Sequence, residues 1–194
     1  VWISRTVTSS DQEYSRSLLS KLVAGQAVAD IVKEPETAIR IEAMKKEMKE
    51  IRDILNSKST IENRLAICHI EETGLRTNGY LVTAHFGKEC DACLIVHGSK
   101  EGKIGDGDSW PLSASFYSNS FLHTEGGVFD LSTLATMFDA NGGGHRNACG
   151  CRIMPLSDRG EVEERELQDS DLARNISYWM EAWNQGRDST HLND

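Results

Sequence analysis

The chain has no run of about eighteen apolar residues, no basic-then-apolar leader, no even set of cysteines and no surplus of positive charge. Each absence removes a class of protein. The first excludes a membrane-spanning helix and the second a secretory signal, so a soluble, cytoplasmic protein with no membrane partner is expected. Five cysteines read as reduced thiols rather than a disulfide framework. Lys plus Arg number 21 against 30 Asp plus Glu, a formal net charge of −9. That balance argues against a sequence-blind coat on duplex nucleic acid, which relies on broad positive potential, and leaves room for one small phosphate pocket. A length of 194 residues suits one substantial core and is short for two full domains.

What is present is concentrated in one stretch. Residues 142–150 read Gly-Gly-Gly-His-Arg-Asn-Ala-Cys-Gly. Gly142, Gly143 and Gly144 lack Cβ atoms, so this segment is free to take positive φ and to bring N–H groups against a ligand as an anion nest. His145 and Arg146 follow with a titratable donor and a permanent planar cation, and a phosphate is the matching ligand. The competing reading is a flexible glycine loop with no ligand.

Gly143, Gly144 and His145, followed by Ala148 and Gly150, resemble the GGHxxAxG signature of the DHHA1 domain, the substrate-binding half of DHH-family phosphoesterases. Ser113, Ser115, Tyr117 and Ser118 fall where that family carries a strand ending in Ser-x-Arg-Ser, and the segment 129–135 resembles the helix start that precedes the glycines. Order and spacing agree over about residues 61–155. The resemblance implies binding of a phosphorylated small molecule or short single-stranded oligonucleotide by Gly142 to Arg146, Ser115, Tyr117 and Ser118, with Ala148 and Gly150 kept small for close approach. It places no catalytic residue in this chain. It also implies a DHH domain N-terminal in cis that carries two divalent metal ions, Mn or Mg, and no Asp-His-His occurs here. Tyr117 stands where the family carries Arg, so a bidentate fork is replaced by a phenol that donates one hydrogen bond or stacks on a base. A related module closes alanyl-tRNA synthetases, which leaves a non-enzymatic nucleic-acid-binding or homodimerisation module as the alternative, driven by the long helix and the Trp-bearing C-terminal helix.

The spacing along the chain predicts an α/β fold: a mixed, partly parallel sheet of about five strands flanked by helices, preceded by a long linker helix. Residues 1–58 form the helical segment and 59–194 the DHHA1-like domain. Thr8 to Ser10 with Glu13 make a capping box for a helix from about residue 11 with Leu18, Leu19, Leu22 and Val23 at helical spacing, and residues 28–32 carry a second short helix. Pro35 sits in the first turn of a third helix, whose Ile41, Met44, Met48, Ile51 and Leu55 form a narrow stripe. Strands are expected over 65–70, 91–97, 112–117 and 151–154, and helices over 80–86 and 131–138, the latter capped by Asp130. The glycines form the turn after it, and a last helix is capped at Ser170–Asp171, with Trp179 and Trp183 on its apolar face.

Three weaker signals remain. Asp106 and Asp108 fit a hairpin turn better than a hard-cation site, since no further carboxylate follows at calcium-loop spacing. Cys90, Cys93, Cys149 and Cys151 offer four thiolates for zinc, though core packing explains them. His69, His85, His97 and His123 read as structural, and His191 belongs to a polar tail.

Overall fold

A computed structural model describes residues 3–7, 11–104, 110–123 and 127–190. Asp106, Asp108 and His191 lie outside the described residues, as do Thr8 to Ser10 of the expected capping box. The chain divides into two compact units, Val1–Asp53 and Ile54–Asp194.

In the first unit, α1 spans Gln12–Val23 and is capped by Asp11, whose Oδ1 accepts the Tyr14 N–H at 3.1 Å. The short α2 (Val28–Ile31) follows, and then α3 (Pro35–Lys58), which continues into the second unit. Tyr14, Leu18 and Ile31 form a small apolar cluster, and Arg40 stacks over the Tyr14 ring at 3.9 Å. Only Leu18 of the four apolar residues expected to face inward on α1 is buried; Leu19, Leu22 and Val23 are exposed. A short helix has one narrow inner stripe here, and Tyr14 with Leu18 at i,i+4 fills it. On α3, Ile41, Ile51 and Leu55 are buried and Met44 and Met48 half-buried, so the stripe is an inward face.

The second unit is an α/β domain on a six-stranded mixed sheet. Its strands are β1 (Ser59–Glu62), β2 (Leu65–His69), β3 (Ala92–His97), β4 (Ser113–Ser118), β5 (Gly143–His145) and β6 (Ala148–Arg152), in the spatial order β1-β2-β3-β4-β6-β5. β2 and β3 are parallel, with α4 (Gly79–Phe86) as the connecting helix, and every other pair is antiparallel. β3 is a continuous apolar run because it is central and covered on both sides. One face carries α6 (Asp169–Thr190), with Phe116 meeting Trp179 edge-on at 5.1 Å and Phe129 meeting Trp183 at 5.9 Å. Both indoles are fully buried within this unit, so they are core. The opposite face carries α4, which packs on β3 and β4.

Buried charge is paired. Asp91, at the entry to β3, accepts two bonds from Arg64 at 2.8 and 2.7 Å and meets His123 at 3.0 Å and Arg187 at 3.1 Å. Burial works to raise its pKa, and the Arg64 and His123 hydrogen bonds with the neighbouring charges overcome this and hold it lowered. Asp171 caps α6 by accepting the Gln168 N–H at 2.7 Å, and Arg165 closes on it with two bonds.

Four segments differ from the sequence expectation: β1 is a strand where none is predicted, and three others depart in extent or kind. α5 is one turn, Ser132–Ala135, rather than a helix through residue 138, and Asp130 shapes its entry by accepting the Ser132 N–H at 3.1 Å. The last strand is Ala148–Arg152 rather than 151–154. The glycines are not a turn: Gly143–His145 is an extended edge strand, and the turn is Arg146–Asn147. Glycine has no strand preference of its own, and pairing with β6 imposes the extended form.

Candidate functional site

Residues paired directly across antiparallel strands share a face of the sheet. Two rows cross the end of this one: Tyr117, Ala148 and His145, and beside it Ser115, Gly150 and Gly143. Alternation along β4, β5 and β6 puts all six on the face opposite Trp179. Ala148 and Gly150 thus form a low floor between the Ser115–Tyr117 edge and the Gly143–His145 edge. A Cβ on Gly150 would lie 3.0 Å from the Ala114 carbonyl oxygen and 3.6 Å from Ser115 Oγ, so the floor holds nothing larger without a shift.

The remaining expected residues border these rows or lie behind them. Ser118 points to the opposite face by the same alternation, where a Cβ on Gly127 would press on its hydroxyl at 2.3 Å. Gly142 allows close approach to α5, since a Cβ there would stand 2.1 Å from the Ala135 carbonyl oxygen. Gly143 and Gly144 hold φ of +148° and +139°, values that side chains disfavour. Arg146 is exposed in the hairpin turn, and its carbonyl accepts the Leu131 N–H at 2.9 Å. As an edge strand, β5 leaves alternate backbone groups outside the ladder. Asp139 anchors the segment. Its carboxylate accepts the Asn141 N–H at 3.0 Å and takes three bonds from Arg152, tying the approach to β5 to the end of β6.

Beside Tyr117 lies a cavity of about 350 Å3 lined by Arg76, Thr77, His97, Trp110, Ser115 and Tyr117. Arg76, Thr77 and Trp110 carry no signal in the sequence, and His97 reads there as structural. Strand alternation would have found His97: it pairs with Ser113, in phase with Ser115 and Tyr117. A second hollow of about 540 Å3 shares His97 and Ser115 and reaches Gly150 and Asp139, so the lined surface continues over the floor.

The hydrogen bonds in the cavity have a fixed direction. Trp110 Nε1–H can only donate, and it lies 2.9 Å from His97 Nδ1. The proton of the neutral imidazole therefore sits on Nε2, which donates to Ser115 Oγ at 2.8 Å. Burial, aided by the charge of Arg76, lowers the His97 pKa and keeps it neutral. A histidine in this state cannot take the Ser115 proton through Nε2. Ser115 is thus not an activated nucleophile, and the chemistry on offer is binding. Burial raises the Tyr117 pKa, so its phenol stays a donor. Arg76 lies over the Trp110 ring at 3.9 Å.

The metals implied by the resemblance have no cage here: among the described residues no three His, Cys, Asp or Glu side chains assemble. The thiols do not gather for zinc either. Cys93 shares the face of Tyr117, whereas Cys149 and Cys151 alternate onto the face of α6.

No protein-family model matches the chain, and no curated protein matches it in sequence. Solved structures match in fold. The pGpG-specific phosphodiesterase PggH from Vibrio cholerae superposes with a TM-score of 0.65 at 12% identity, over 96% of this chain and 55% of that one. An exopolyphosphatase-related protein from Bacteroides fragilis gives 0.46 at 14% identity, over 90% of this chain and 44% of that one. The chain spans about half the length of these proteins. The likeness to PggH establishes a shared fold.

Proposed function

We propose that this chain is the substrate-binding part of a metal-dependent phosphoesterase of the DHH type, and that its Gly143–His145 edge holds a phosphoryl group of a nucleotide or short oligonucleotide. The observation that carries the proposal is the register: His145, Gly143, Ala148, Gly150, Ser115 and Tyr117, spread over three strands, meet on one face with the small residues in the middle. An exposed imidazole, the Arg146 guanidinium and the outward groups of an edge strand are a suitable set for an oxyanion, and bonds to it are charge-assisted. This chain orients the substrate. Water activation belongs to two divalent ions on a DHH domain, which the described residues do not hold. Trp179 and Trp183 are enclosed in the core, so the indoles themselves offer no surface to a partner. The test is calorimetric titration with a nucleoside monophosphate: His145→Ala removes binding, and equal affinity of the variant and the parent refutes the assignment.

A further inference from the structure

We propose that the last turns of α6 are a latch on the β1–β2 turn. They hold a backbone conformation that the turn residues would not keep by themselves, and lifting them frees β1 as a flexible joint between α3 and β2. The inference concerns the fold and stands whatever ligand the chain binds.

The turn is short and unfavourable. Glu62 pairs directly with Leu65, so Asn63 and Arg64 connect the strands, and their φ values are +42° and +64°. Tight two-residue hairpins take positive φ at both central positions, where Asn suits the first and glycine ordinarily fills the second. Arg64 stands in the glycine place, which a residue with a Cβ disfavours. The core does little to hold β1. It lies at the sheet edge beside β2, and its residues alternate between half-buried and exposed.

Support comes from α6. Trp183 Nε1 donates to the Asn63 carbonyl at 3.0 Å, and Arg187 Nη1 donates to the same oxygen. Asn63 Nδ2 donates to Asn184 Oδ1 at 2.8 Å. Arg187, only 8% exposed, also reaches Asp91 at 3.1 Å, the carboxylate that fixes the Arg64 guanidinium with two bonds. The Arg64 carbonyl in turn accepts the Asp91 N–H at 2.7 Å. Both turn residues are thus tied by backbone and side chain, and Arg187 joins the two sets of ties.

The joint follows from covalent order. α3 ends at Lys58 and β1 begins at Ser59, so a latched hairpin makes the helix run straight into the sheet. With the latch open, Arg64 returns to negative φ and the pairing of Ser59–Glu62 with the opposite strand is lost. Those residues then form a short tether between α3 and β2, which stays in place because Leu65 to Cys68 are buried.

Hydrogen exchange on the full chain tests this. Arg187→Gln should speed exchange of the amides in 59–65 roughly tenfold to a hundredfold, the range for losing a hydrogen bond to a charged group, and leave β4 and β6 unchanged. An unchanged β1 overturns the latch, and so does acceleration spread equally over all the strands. A second variant separates turn conformation from charge. Glycine takes positive φ freely, so Arg187→Gln made in an Arg64→Gly background should affect β1 less than it does in the parent. If Arg187 served only as a countercharge to Asp91, its loss would matter more once Arg64 is gone. An effect on β1 as large as in the parent, or larger, therefore overturns the proposal.

Discussion

Trp110 Nε1 donates to His97 Nδ1 at 2.9 Å, and this contact determines where the imidazole proton lies. Because indole has no acceptor, protonating His97 at Nδ1 would set two N–H groups against each other. The bond therefore works with burial to keep the ring neutral, and the order Trp110, His97, Ser115 is maintained as one directional chain.

A pH dependence follows. His97 is held below its ordinary 6.5, first by burial and then by Arg76. The unfolded chain takes up a proton near that pH and the folded chain does not. The stability from this group is therefore complete above about 6.5, falls as pH drops toward the folded pKa, and levels off below it. Urea unfolding should show a lower midpoint at about pH 5.5 than at about pH 7.5, and His97→Gln should remove that share of the slope. Identical slopes in the two proteins would contradict the neutral tautomer.

Asp139 gives the opposite sign. Its pKa is lowered to about 2, chiefly by the Arg152 hydrogen bonds, which outweigh burial. The stabilisation is present above the ordinary value of 3.8 and is lost as pH falls from there through about 2. Asp139→Asn should cost about 1–2 kcal/mol at neutral pH, less than a fully buried pair because the Arg152 side chain is 44% exposed. It should also weaken phosphate binding, since the carboxylate sets the approach to β5 through the Asn141 N–H. Unfolding curves and a phosphate titration on the same variant check both effects.

How much of this was legible depends on whether a residue's role is set by its neighbours in sequence. β3 reads as a strand because a central strand covered on both sides must be apolar throughout. β5 does not, since three glycines read as a turn until β6 imposes its pairing. Ala148, Gly150, Ser115 and Tyr117 were found through a spaced motif. Arg76 and Trp110 come from two irregular connections with no period, and only the folded sheet brings them to His97.

The thiols supply a chemical test of the core. Burial pushes Cys68, Cys149 and Cys151 up to about 12 and Cys90 up to about 11, and raises Cys93 as well. The thiolate is the reactive form, so the folded protein should react slowly with a thiol reagent at about pH 8 and release all five groups only on unfolding. Fast labelling of any one in the native protein would show that the packing around it opens.

Gly79 and Tyr117 supply the sharpest packing test, because α4 approaches the sheet at this point. A Cβ on Gly79 would stand 2.0 Å from Tyr117 Cγ and 2.2 Å from its Cβ, in a wall of the cavity where neither backbone can yield cheaply. Replacing a helical glycine by alanine ordinarily gains about 0.5–1 kcal/mol. Here the overpacking should outweigh that gain and leave Gly79→Ala destabilised by about 1–3 kcal/mol. The cause is one side chain, its Cβ included, so Tyr117→Gly should abolish the penalty and allow the helix preference to show. A double-mutant cycle on urea unfolding isolates the coupling, expected at about 1–3 kcal/mol. A Gly79→Ala cost that persists without the Tyr117 side chain would mean that Tyr117 is not what requires glycine there.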